Sequence, residues 1–76
     1  MIVHFDQTIY KEQAVAMAIR DYQQVAEILL KVKPFCFECN IVHSIYPIDI
    51  TALEFSNYVL NQTVSISSED SRHEIR

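Results

Sequence analysis

The 76-residue chain contains no glycine, where an average usage of roughly 7% would place about five. Glycine is the residue that reaches positive φ without steric cost, so its absence restricts the turns this backbone can make. It also removes the sites whose chemistry needs backbone without a Cβ: the G-x-G-x-x-G dinucleotide turn, the G-K-[ST] phosphate loop and the G-x-S-x-G nucleophile elbow. The chain therefore reads as neither a nucleotide enzyme nor a hydrolase.

Half of the residues are hydrophobic, which is enough to close one small core and leaves no room for a second domain. Six Lys and Arg stand against ten Asp and Glu, a formal charge of −4, and neither sign gathers into a block. A nucleic-acid partner calls for a basic stripe, and none is present. The apolar runs are too short to span a membrane, and Met1-Ile2-Val3-His4-Phe5 meets Asp6 before a signal-peptide core can form. The expectation is a cytoplasmic chain with no membrane partner. Two cysteines are too few for a disulfide scaffold, so packing must hold the fold.

Met1–Phe5 is rich in strand formers and ends at the turn-forming Asp6-Gln7-Thr8. From Lys11 to Gln24 the period becomes helical: Val15, Ala18, Ile19, Tyr22 and Ala26 fall within about 100° of one another, with Gln13, Arg20 and Asp21 opposite. Val25–Lys33 alternates, setting Ala26, Ile28, Leu30 and Val32 on one face. Pro34 breaks the ladder, and Phe35–His43 alternates again, with Phe35, Phe37, Cys39 and Ile41 inward. A hairpin follows from this pair, closed by something other than a tight I′ turn. After Pro47, Thr51-Ala52-Leu53-Glu54 has the capping-box form, with Ile50 and Phe55 placed as a hydrophobic staple. The helix it opens runs to Gln62 and buries Ala52, Phe55, Val59 and Leu60, while Glu54, Asn57, Tyr58 and Asn61 face outward. Thr63–Ser67 reads equally as a short fourth strand or as the helix end.

This order predicts an α+β fold, β-α-β-β-α, with a three-stranded antiparallel sheet ordered 1-3-2 and both helices on one face. It is half of a ferredoxin-like arrangement. The domain is expected over residues 1–66, with 67–76 a mobile polar tail that has too little apolar surface to offset the entropy of ordering. Strand one then has an open edge, and open edges pair with a second copy, a partner protein or an extended peptide.

Cys36 and Cys39 have C-x-x-C spacing, which His43 extends. A redox pair normally opens a helix and a zinc knuckle needs a turn, whereas this pair lies in a strand, where an odd separation sends the side chains to opposite faces. Cys39 is expected in the core and Cys36 outside; a metal- or redox-responsive role for Cys36, Cys39 and His43 is the alternative reading. His4 in strand one is expected near Asn40 or Val42, and His73 lies in the tail. No Ser, His and carboxylate set has a recognisable context, so no catalytic residue and no cofactor is assigned. Asn57, Tyr58 and Asn61 form an amphipathic contact patch of the kind interfaces favour. The outer sheet face, with Ile2, His4, Leu29, Cys36 and Val42 among charged residues, is the second candidate surface, for a homodimer or another partner.

Phe5-Asp6 with Ile9-Tyr10, Ala14 to Asp21-Tyr22, and Glu54-Phe55-Ser56-Asn57-Tyr58-Val59-Leu60 resemble the small protein of the His-Xaa-Ser system, HxsD, and its shorter HxsD-like relatives. The resemblance covers residues 2 to 62 and is most specific in the E-F-x-N-Y-x-L run. The chain departs from the fuller family form in having Asn61-Gln62 where that form is charged, and it has no His-Xaa-Ser triplet. The resemblance implies a non-catalytic accessory protein, a binding or scaffolding partner in a radical-SAM-associated peptide- or protein-modifying system. The implied partner is a radical enzyme or its precursor peptide. A structural homo-oligomer subunit is a further alternative.

Overall fold

In chain order the protein forms β1 (Ile2–Asp6), α1 (Glu12–Asp21), β2 (Ala26–Val32), β3 (Cys36–Ser44) and α2 (Ile48–Ile75). The structure is a computed structural model that describes the backbone of residues 1–75 and the side chains of residues 1–66. It is an α+β fold with one antiparallel sheet in the order β1-β3-β2. The connection through α1 carries the chain past the position that β3 fills, so β1 and β2 flank β3 in the order that the sequence predicts.

No described residue has positive φ, so every turn is built without the conformation that glycine would supply. The β2–β3 register leaves a two-residue loop, Pro34-Phe35, flanked by a Lys33 N–H to Cys36 carbonyl bond of 2.9 Å. Types I′ and II′ both need positive φ, so neither is present. The Gln7 side-chain amide holds this hairpin end by donating to the carbonyls of Lys33 at 2.5 Å and Cys36 at 3.3 Å. Phe35, expected inward, lies in the loop and is 85% exposed. Similarly, α1 stops at Asp21 rather than Gln24: the Tyr22 carbonyl accepts the N–H groups of Val25 and Ala26, both at 2.8 Å, and the chain enters β2.

Both helices cover one face of the sheet. Phe5, Ala26, Ile28, Phe37, Cys39 and Ile41 pack with Val15 and Ala18 of α1 and with Ala52, Phe55 and Val59 of α2. Ala14 is also buried, which turns the packed side of α1 slightly from the stripe read in the sequence. Edge-to-face aromatic pairs run through this layer. The Phe55 ring meets Phe5 at 5.9 Å and Tyr22 at 5.5 Å, and Tyr22 meets Tyr58 at 5.4 Å. Burying a Phe contributes roughly 1.5–3 kcal/mol, and each such pair about 0.5–1.5 kcal/mol more. Tyr58, expected to face outward, is therefore half-buried against the core.

A bulge interrupts the β2–β3 ladder: Ile28 pairs with Ile41 and Glu27 with His43, so Val42 is the extra residue. The insertion reverses the alternation that follows. His43 is exposed, and Ser44 pairs with Ala26 instead and bonds the Thr51 hydroxyl at 2.6 Å.

That contact corrects the expected capping box. The α2 helix begins a turn earlier, where the Pro47 carbonyl accepts the N–H groups of Ile50 and Thr51, each at 3.1 Å. Thr51 is inside the helix and 1% exposed. Ile50 sits in the first turn with its side chain exposed, so the staple with Phe55 does not form. Leu60, expected in the core, is exposed as well. The helix continues through Thr63–Ser67, so there is no fourth strand there, and its backbone extends past Gln62 to Ile75. The side chains of the polar segment 67–76 lie outside the described residues. No described helix is long and apolar enough to cross a membrane.

Candidate functional site

The outer sheet face is built from the alternate positions that the core leaves out. Two rows cross it: Ile2–Asn40–Leu29 and His4–Glu38–Lys31. Ile2, Leu29 and Val42 expose about half of their surface, an apolar strip on a face that no other described element covers. His4 is paired with Glu38 rather than with the expected Asn40 or Val42. The Gln7 contacts to the hairpin end hold β1 in this register, which is displaced by two residues and so keeps the same side chains outward.

Glu38 is the electrostatic centre of the face. Its Oε1 accepts from Lys33 Nζ at 2.8 Å and lies 3.4 Å from His4 Nε2. The Lys33 hydrogen bond chiefly holds the Glu38 carboxyl below its usual range, and the same bond pushes the Lys33 ammonium up. Such a pair at the surface adds little stability. It leaves a nearly neutral polar row beside the apolar one.

The β1 edge adds backbone groups to this surface. The Ile41 N–H donates to the Met1 carbonyl at 2.8 Å, and the Gln7 N–H donates to the Phe35 carbonyl at 3.1 Å. Odd-numbered β1 residues thus bond β3, and antiparallel alternation turns the N–H and C=O groups of Ile2 and His4 away from it. The same two residues direct their side chains to the outer face. A strand added at this edge places its own side chains beside Ile2 and His4 and continues both rows.

The other candidate residues lie elsewhere. Cys39 is in the core, where burial pushes its thiol up to about 11, while Cys36 is half-buried on the outer side opposite Asp6. His43 lies at the bulge opposite Glu27. These three side chains are thus dispersed, and among the described residues no three His, Cys, Asp or Glu gather as a metal site. Asn57 and Asn61 are exposed on α2. Tyr58, one residue from Asn57 and one turn from Asn61, leans toward α1: its ring packs on Tyr22 and its hydroxyl donates to Asp21. Sequence reasoning missed Phe35 at the hairpin tip and the exposed apolar residues Ile50, Leu53 and Val64 of α2. The last three were detectable from their spacing.

No family model, no curated protein and no solved structure matches this chain.

Proposed function

We propose that the chain is a non-catalytic interaction module that takes an extended peptide segment along the β1 edge and the outer sheet face. It serves as a binding or scaffolding partner in a peptide- or protein-modifying system of the radical-SAM-associated kind that its HxsD-like resemblance implies. The observation that carries this reading is the coincidence at Ile2 and His4. Their backbone groups face the open edge, and their side chains border the apolar and polar rows that end at Leu29 and Lys31. Strand addition needs main-chain groups for affinity and side-chain contacts for selectivity, and this edge has both.

His4→Pro tests it. Proline removes the N–H that faces the open edge but none that bonds β3, so the sheet tolerates it at this position. The chain is co-expressed with the products of its neighbouring genes, among which this reading expects a radical enzyme or a precursor peptide. The wild type is expected to co-purify with one of them, and His4→Pro to lose that partner while keeping its circular dichroism spectrum. Failure of the wild type to retain either protein, or equal retention by the variant, overturns the proposal.

A further inference from the structure

The α2 helix is apolar on two sides. Ala52, Phe55 and Val59 face the sheet, with Thr51 and Thr63 buried beside them. On the opposite side Ile50, Leu53, Leu60 and Val64 are between 42% and 65% exposed, and Asn57 between them is exposed too. In order, positions 50, 53, 57, 60 and 64 are separated by three, four, three and four residues. At about 100° per residue they occupy a stripe about 80° wide, turned away from the core. Globular packing calls for one broad apolar face per helix, and α2 already has that face on the sheet. A second, narrow stripe at 3-4 spacing is the a/d seam of a coiled coil.

We infer that α2 pairs in parallel with α2 of a second copy of this chain, independently of any peptide bound at β1. The choice of a second copy rests on Asn57. It occupies the central a position, with Ile50 and Val64 at the flanking a positions and Leu53 and Leu60 at d. An amide in an apolar seam is costly unless paired, and in a parallel pair each a residue faces its own counterpart. Asn57 then meets the Asn57 of the second copy, each amide able to donate and accept. Antiparallel pairing sets a against d and leaves Asn57 facing leucine. The seam spans about 21 Å at a rise of roughly 1.5 Å per residue, and the sequence is polar at the next three seam positions, Ser67, Ser71 and Glu74, so the pairing is short and its register is specified.

The flanks set the salt response. Asp49 and Glu54 fall at g and e of the seam's first turn and face each other across a parallel pair, and residues 48–66 contain no Lys or Arg. Two acidic flanks repel, and salt screens that repulsion. Self-association therefore tightens as salt rises, opposite to the capture of a basic partner helix.

Sedimentation equilibrium of the full chain from micromolar to hundreds of micromolar, in low and in high sodium chloride, measures this pairing. The wild type is expected to dimerise more tightly at high salt. Leu53→Glu with Leu60→Glu changes only exposed positions; it should weaken dimerisation roughly tenfold or more with an unaltered circular dichroism spectrum. Asn57→Leu should tighten association, because the buried amide costs affinity. Val64→Cys in a Cys36→Ser background should form a disulfide-linked dimer with oxidised glutathione, which antiparallel packing prevents by separating the two positions along the axis. A monomer at every concentration, a dimer insensitive to the double glutamate change, or a dimer that does not cross-link at position 64 overturns the inference.

Discussion

The Tyr58 hydroxyl donates a hydrogen bond of 2.5 Å to the Asp21 carboxylate, joining the middle of α2 to the last residue of α1 across 37 sequence positions. With the Tyr22–Tyr58 ring contact, it fixes how the two helices sit against each other over the sheet. Its role is structural.

Tyr58→Phe keeps the ring and removes the bond. The Asp21 hydrogen bond is the main reason that the Tyr58 phenol is held above its ordinary value of 10.0. A folded pKa raised above the unfolded one stabilises fully below the unfolded value and is lost as pH rises through the folded value. Thermal melts above pH 10 should therefore fall more steeply for the wild type than for the variant. Tyr22, also raised by burial, is common to both proteins, and its smaller charge coupling to Tyr58 enters the difference beside the hydrogen bond. Parallel slopes would exclude the bond as a source of alkaline sensitivity.

Thr51 distinguishes the two descriptions of the α2 start. At an N-cap, Asp replaces Thr with little change. Thr51 is instead inside the helix, 1% exposed and bonded to Ser44, so Thr51→Asp buries a carboxylate beside Ala52 and Phe55. Urea denaturation should show a loss of several kcal/mol, enough to unfold much of a domain this small. Thr51→Val, which removes only the hydroxyl pair, should cost about 1–2 kcal/mol.

These residues show where sequence pattern reaches its limit. The alternation of Ala26–Val32 and Phe37–Ile41 predicts the strands, and the usual crossover rule predicts their order, because both follow from rules that hold without knowledge of distant contacts. The Thr51–Glu54 pattern is a local signal too, but the bulge at Val42 turned Ser44 to meet Thr51, and a bulge leaves no mark in composition. Phe35 falls in the loop, where strand alternation stops, and Leu60 lies one residue, about 100°, past the buried Val59 on an unbroken helix, so neither follows the buried face. Of the candidate surface, the outward set Ile2, His4 and Leu29 was legible from alternation alone. The register setting His4 against Glu38 was not, since it depends on contacts between Gln7 and the distant hairpin end.

The thiols should separate kinetically. Burial pushes the Cys39 thiol up to about 11 and removes it from solvent, whereas Cys36 is partly exposed. Since the thiolate is the reacting form, a disulfide reagent at pH 8 should titrate one thiol rapidly and the second only on unfolding. Mass spectrometry should place the fast label on Cys36. Equal rates would mean that β3 opens readily and that the core around Cys39 is looser than its burial indicates.

Thr63 supplies a prediction in the stabilising direction. Its residue is 6% exposed and its Oγ1 has no hydrogen-bond partner among the described residues. A buried hydroxyl without a partner keeps its desolvation cost and gains nothing in return. Thr63→Val has nearly the same shape and β-branching, so the packing survives while the unsatisfied oxygen goes. The expected gain is about 1 kcal/mol, which in a domain of this size raises the melting temperature by roughly 4–8 °C. Thr63→Ala removes the same hydroxyl but also the methyl group and leaves a void, so it should fall below Val. A destabilised Val variant would show that the hydroxyl is satisfied in solution, by water or by the last turns of α2.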